Sequence, residues 1–182
     1  LISGSRDCTV MIFKVDAKAT VDVIESAPLR ILYGHDAWVS GVAVNVCYDV
    51  VVSASEDGSV IVHSLNRGQY IRTIGGSYDE TIAAKRNSRD AAGDKKDVVD
   101  DGEIAWVGVS SSGYIATYSS TRRLLRVYSI NGRLLAQRRD RHVYHAFCWS
   151  FDGQFLICGG ARQIVLFLNA ADLSVLSSLP NL

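Results

Sequence analysis

Residues 28–74 read PLRILYGHDAWVSGVAVNVCYDVVVSASEDGSVIVHSLNRGQYIRTI. Turn residues at Gly34-His35, Cys47-Tyr48-Asp49, Glu56-Asp57-Gly58 and Asn66-Arg67-Gly68 divide this stretch into short runs rich in Val and Ile. Runs of that length bounded by such residues predict β-strands joined by tight turns. The stretch therefore reads as one antiparallel unit, and the rest of the chain supplies further copies of it.

The copies align by spacing. Val39, Val42 and Val44 open the quoted unit, and the same spacing returns at Ile104, Val107, Val109 and at Tyr144, Phe147, Trp149. Second strands are predicted at VVVSAS from Val50, YIATYSS from Tyr114 and FLICGGA from Phe155, with LISGS at the start of the chain as a fourth copy. Third strands are expected from Thr9, Ser59, Leu124 and Ile164, and fourth strands from Pro28, Gln69, Arg133 and Ser174. Repeats in register are informative, because a one-residue slip would turn every side chain to the wrong face. The fold class expected is all-β, a β-propeller with about four four-stranded antiparallel blades from a larger, seven-bladed ring. Blade 1 covers 1–34 and lacks its first strand, blade 2 covers 38–75, blade 3 covers 103–139 and blade 4 covers 143–180. The chain starts in mid-blade without Met, so it is expected to be a fragment of a longer polypeptide.

Residues 77–102 break the pattern. They are dense in Asp, Lys and Arg, carry one aromatic, Tyr78, and are expected to form a solvated, disordered insertion with no core of its own. The connection 16–27 is also longer than a hairpin needs. Its neighbour Pro28 opens a strand, a position proline tolerates.

Lys and Arg together number 19 and Asp and Glu 19, so the formal net charge is zero. Nothing global draws the chain to nucleic acid. No apolar run reaches the length of a membrane helix. The four cysteines, Cys8, Cys47, Cys148 and Cys158, form no C-x-x-C pair and lie in or beside apolar strands, which predicts buried, reduced thiols. His142, His145 and Cys148 are the only crowding of metal-ligand types. Residues three apart on a strand face opposite ways, so no metal and no cofactor is expected.

Blade 2 holds the one polar constellation. His35, Ser53 and Asp57, with His63 nearby, are placed where the repeat resembles WD-repeat proteins, and the resemblance implies a buried hydrogen-bond network. In that family a His after Gly, a Ser or Thr in the second strand, an Asp in the next turn and a Trp in the third strand cooperate. His63-Ser64 stands where Trp-Asp belongs, and Phe13-Lys14, Tyr128-Ser129 and Leu168-Asn169 replace that pair elsewhere. Ser, His and Asp are also the types of a hydrolase triad, but no nucleophile elbow or oxyanion loop accompanies them. No catalytic residue is assigned.

The run Pro28 to Asp36 resembles the C-terminal propeller of BEACH-domain proteins, the neurobeachin and beige type. So does Asp57 to Ser64, where that family also places His in the Trp position. Ser3 to Asp7, Tyr118 to Ser120 and Val127 to Gly132 fit the same region. The resemblance implies a non-catalytic, protein-binding scaffold, cytoplasmic and peripheral at endomembranes. It implies action in vesicle traffic and membrane-protein sorting, with a BEACH domain elsewhere in the polypeptide.

Two further partner classes arise from the basic residues. Loops joining second to third strands and loops joining blades leave a propeller on the same side. Arg122, Arg123 and Arg162 fall in the first kind, and Arg138, Arg139 and Arg141 in or beside the second. These six form a candidate interaction rim for an acidic peptide or, as the alternative, an anionic lipid headgroup. Some WD-repeat relatives read phosphoinositides through paired arginines, but Thr121 and Leu124 replace the Phe and Gly that flank that motif.

Overall fold

The computed structural model describes residues 1–16, 24–75, 102–161 and 164–179. The expected insertion lies outside the described residues except for Gly102, as does most of the 16–27 connection. The described residues form four antiparallel sheets in chain order. The first has three strands, β1 (Ile2–Gly4), β2 (Val10–Ile12) and β3 (Arg30–Leu32). The second holds β4 (Val39–Asn45), β5 (Val50–Ser55), β6 (Val60–Ser64) and β7 (Tyr70–Ile74). The third holds β8 (Trp106–Val109), β9 (Tyr114–Ser119), β10 (Leu124–Ser129) and β11 (Leu134–Arg139). The fourth holds β12 (Tyr144–Trp149), β13 (Phe155–Gly160), β14 (Val165–Asn169) and β15 (Val175–Leu179). Each sheet is a meander in which every strand pairs with its sequence neighbours, as blades of a propeller do. Among the described residues no helix is long and apolar enough to cross a membrane.

The cores lie between sheets, and strand alternation decides which side each residue serves. On β5, Val50, Val52 and Ala54 face the third sheet, where they pack with Val60, Val62 and Ile74 against Ile104, Val107, Ile115 and Tyr128. Val51 faces the other way and joins Val10, Ile12 and Leu32 of the first sheet. On β9, Ala116 and Tyr118 turn toward the fourth sheet and pack with Leu125, Val127, Tyr144 and Leu156. Both faces of the middle sheets are covered, so β5 and β6 are buried along their whole lengths. The outermost strand β15 is exposed along its whole length.

The turns repeat as well. The first carboxylate oxygens of Asp7, Asp57, Asp152 and Asp172 each accept the amide two residues on, from Thr9, Ser59, Gln154 and Ser174. Such Asx turns orient the chain for the next strand and explain why Asp recurs there. Between blades, Arg30 of β3 donates to the Asn66 carbonyl at 3.1 Å, and Arg72 of β7 donates to the Asn131 carbonyl. An outer strand thus grips the last turn of the following blade. Gly68 and Gly132, both at positive φ, leave room for these arginine stems.

The cysteines depart from expectation. All four are free, but only Cys158 is buried. Cys47 sits at the β4–β5 turn and Cys148 on the edge strand β12, and both are exposed. A strand edge or turn tip in an apolar sequence is not covered unless a neighbouring sheet reaches it.

Candidate functional site

The polar constellation of blade 2 assembles around His35. Gly34 adopts φ 136°, and a Cβ there would meet Ile61 Cδ1 at 3.0 Å, so glycine brings the linker from β3 to β4 close against β6. His35 then enters the seam. Its Nε2 lies 2.8 Å from Ser53 Oγ and its Nδ1 3.0 Å from Ser59 Oγ. Nδ1 also lies 3.6 Å from Asp57 Oδ2. Asp57 accepts the Asp36 amide at 3.0 Å and the Ser59 amide at 2.7 Å. One carboxylate therefore closes its own turn and holds the linker, while His35 bridges linker, second strand and turn.

Electrostatics follow this packing. Burial lowers the His35 pKa below its ordinary value, against the pull of Asp57. Burial pushes the Asp57 carboxyl up, but the Ser59 and Asp36 hydrogen bonds outweigh it and hold the pKa below the ordinary value. Ser53 is 0% exposed, so the Ser–His–Asp order presents no nucleophile to a substrate. The arrangement ties three segments together.

His63 stands apart from that set. Its Nε2 lies 3.2 Å from the Tyr33 carbonyl, and its ring meets Tyr70 edge-on at 6.1 Å. Its Nδ1 is buried with no hydrogen-bond partner. No hydrogen bond joins it to His35, Ser53 or Asp57. On β6 it shares the face of Ile61, which brings it against the linker near Tyr33. Ser59, absent from the expected set, is the residue that completes the His35 contacts. Its place two positions after Asp57, at the end of the Asx turn, was the available signal.

Asp49, in the β4–β5 turn, accepts from Ser64 Oγ at 2.8 Å and from the Asn66 amide at 2.9 Å. Ser64, at the second position of the His63-Ser64 pair, thus takes part in a separate turn network at the other end of β6.

The arginine rim is partly gathered. The β9–β10 turn and the β11–β12 linker touch: the Asp140 amide donates to the Arg123 carbonyl at 3.2 Å, and Arg123 Nη1 donates to the Arg141 carbonyl at 3.0 Å. Arg122, Arg123, Arg139 and Arg141 are exposed. Arg162 lies outside the described residues.

Arg138 does not join the exposed group. It donates to both carboxylate oxygens of Asp140, at 2.7 and 3.0 Å, and to the Leu173 carbonyl at 3.4 Å. Asp140 also accepts the Tyr144 hydroxyl at 2.7 Å. The Arg138 and Asp140 side chains are 29% and 16% exposed, so this is a seam pair between the third and fourth sheets. Burial raises the Asp140 carboxyl, but the Arg138 and Tyr144 hydrogen bonds reverse the shift and lower its pKa.

Comparison with known proteins agrees with this geometry. The family model "WD domain, G-beta repeat" matches residues 26–64, the span that contains His35, Ser53, Asp57 and His63. BEACH domain-containing protein B of Arabidopsis thaliana is 29% identical over 91% of this chain, which spans 6% of that protein. BEACH domain-containing protein lvsE of Dictyostelium discoideum is 25% identical over 89% of the chain and is spanned to 7%. Protein lvsD of the same organism is 32% identical over 41% of the chain and 2% of its own length. The chain thus has the meander sheets of WD-repeat-type propeller blades, carries a WD-repeat match over residues 26–64, and is similar along most of its length to BEACH domain-containing proteins.

Proposed function

We propose that this segment is a non-catalytic docking module of a larger BEACH-type scaffold, acting at endomembranes in vesicle traffic and membrane-protein sorting. Its partners are other proteins that meet the propeller loops, together with the remaining blades and domains of the same polypeptide. The observation that carries the reading is the arc of exposed Arg122, Arg123, Arg139 and Arg141 on two loops that touch each other. Rigid sheets hold these loops, and guanidinium groups pair carboxylates in a bidentate way, so the arc suits an acidic peptide.

Charge reversal of Arg122, Arg123 and Arg141 in the full-length protein tests this. The variant should lose a partner in pull-downs while circular dichroism stays unchanged. The wild-type interaction should weaken as salt rises, since exposed charge pairs are screened. An unchanged partner set would refute the docking role. Binding to phosphoinositide liposomes with no protein partner lost would replace it with the lipid reading.

A further inference from the structure

The linker between the first two blades is held at two points by imidazoles. Tyr33 offers its carbonyl to His63 Nε2 at 3.2 Å. Two residues on, His35 sits between Ser53 Oγ and Ser59 Oγ. Gly34 lies between the two points, against Ile61. The same linker carries exposed Tyr33 and Trp38 on the loop face, and Arg6 of the first sheet stacks over Trp38 at 4.5 Å. Its position therefore decides how blades 1 and 2 meet at that face.

We propose that this linker is an acid-sensitive clasp, with His63 as its proton sensor and His35 as a second, buffered site. The two histidines differ in their surroundings. His35 has the Asp57 carboxylate 3.6 Å from Nδ1 and Asp36 beside it, so a proton gained there meets opposite charge. His63 is 3% exposed and its Nδ1 is an orphan. Among the described residues, the groups acting on it are the Tyr33 carbonyl, the Tyr70 ring and His35, none of them a carboxylate. Protonation of His63 would place a charged, unpaired N–H in an apolar seam, which is costly. Opening the linker to water relieves that cost.

The direction of the effect follows from burial, which lowers the His63 pKa below its ordinary 6.5. Above that value the ring is neutral in both closed and open linkers, and the clasp is at full strength. As pH falls through it, the open form takes up a proton first. The opening constant then grows by up to about tenfold per pH unit for one proton, until the closed form also titrates.

The test uses the intact protein and mass spectrometry at a series of pH values from about 7 to 5. Deuterium exchange at the histidine ring carbon gives the His63 midpoint directly, and amide exchange over residues 33–39, corrected for intrinsic rates, gives the opening constant. The expected results are a midpoint below 6.5 and opening that rises with acid. In His63→Phe, which keeps an apolar ring without a proton site, the slope should fall to what His35 alone supplies. A His63 midpoint at or above 6.5 in the unaltered protein overturns the proposal whatever the variant does. So does an unchanged slope in a folded His63→Phe protein.

Discussion

Replacing Asp57 by Ala tests the blade 2 network at its most connected residue. The substitution removes the acceptor of two backbone amides, Asp36 at 3.0 Å and Ser59 at 2.7 Å, and takes away the carboxylate 3.6 Å from His35. A hydrogen bond to a carboxylate contributes about 1–3 kcal/mol, and both of these bonds lie at exposed positions. The Asp57 side chain is 20% exposed, so water reaches part of the site and each loss belongs at the low end. The sum is about 2–3 kcal/mol. At about 2–4 °C per kcal/mol for a domain of this size, the melting temperature should fall by roughly 5–10 °C. Asp57→Asn, which keeps one acceptor oxygen, should recover about half of that loss.

The comparison must be made with exposed Glu56→Ala and not with Asp49→Ala, because Asp49 anchors Ser64 and the Asn66 amide and stands at φ 55°. The difference between wild type and Asp57→Ala should also depend on pH. The folded-state pKa of Asp57 lies below the ordinary 3.8. Its contribution is therefore full above that value and disappears as pH falls through the folded-state value. Thermal melts at about pH 7 and pH 3 read both effects. An Asp57→Ala protein that melts with Glu56→Ala at neutral pH would refute the network.

Two further outcomes follow from the seams and edges. Arg138→Ala should destabilise the protein by about 1–3 kcal/mol, since it strips Asp140 of its bidentate partner, whereas exposed Arg139→Ala should change stability by less than about 0.5 kcal/mol; denaturant titration separates the two. Cys47 and Cys148 should react with a thiol reagent under native conditions while Cys158 does not, because Cys158 is buried and that burial pushes its thiol up to about 12; mass mapping after timed alkylation checks the order.

The sequence by itself determined the elements and their order. Alternation of Val and Ile with turn residues recurs four times, and strand formation depends on that local pattern, so the four meanders could be read off residue by residue. The turn at Glu56-Asp57-Gly58 was legible for the same reason, since Asp and Gly favour a turn by their own local chemistry. His35 and Ser53 could be placed together because the repeat assigns each a fixed position in the blade.

Tertiary structure decided what lies opposite each position. Arg138 and Arg139 are adjacent and alike in sequence, yet alternation turns Arg138 into the seam, where Asp140 and Tyr144 meet it, and leaves Arg139 in water. His63 occupies the expected slot but reaches the Tyr33 carbonyl in place of the Ser53 network, because β6 directs that face toward the linker. Asp49 became an anchor only when β6 brought Ser64 to it. Cys47 and Cys148 are exposed although their neighbours are apolar, since no other sheet covers that turn or that strand edge. Strand periodicity is a local property of the chain, whereas a side chain's partner across a blade seam depends on residues dozens of positions away.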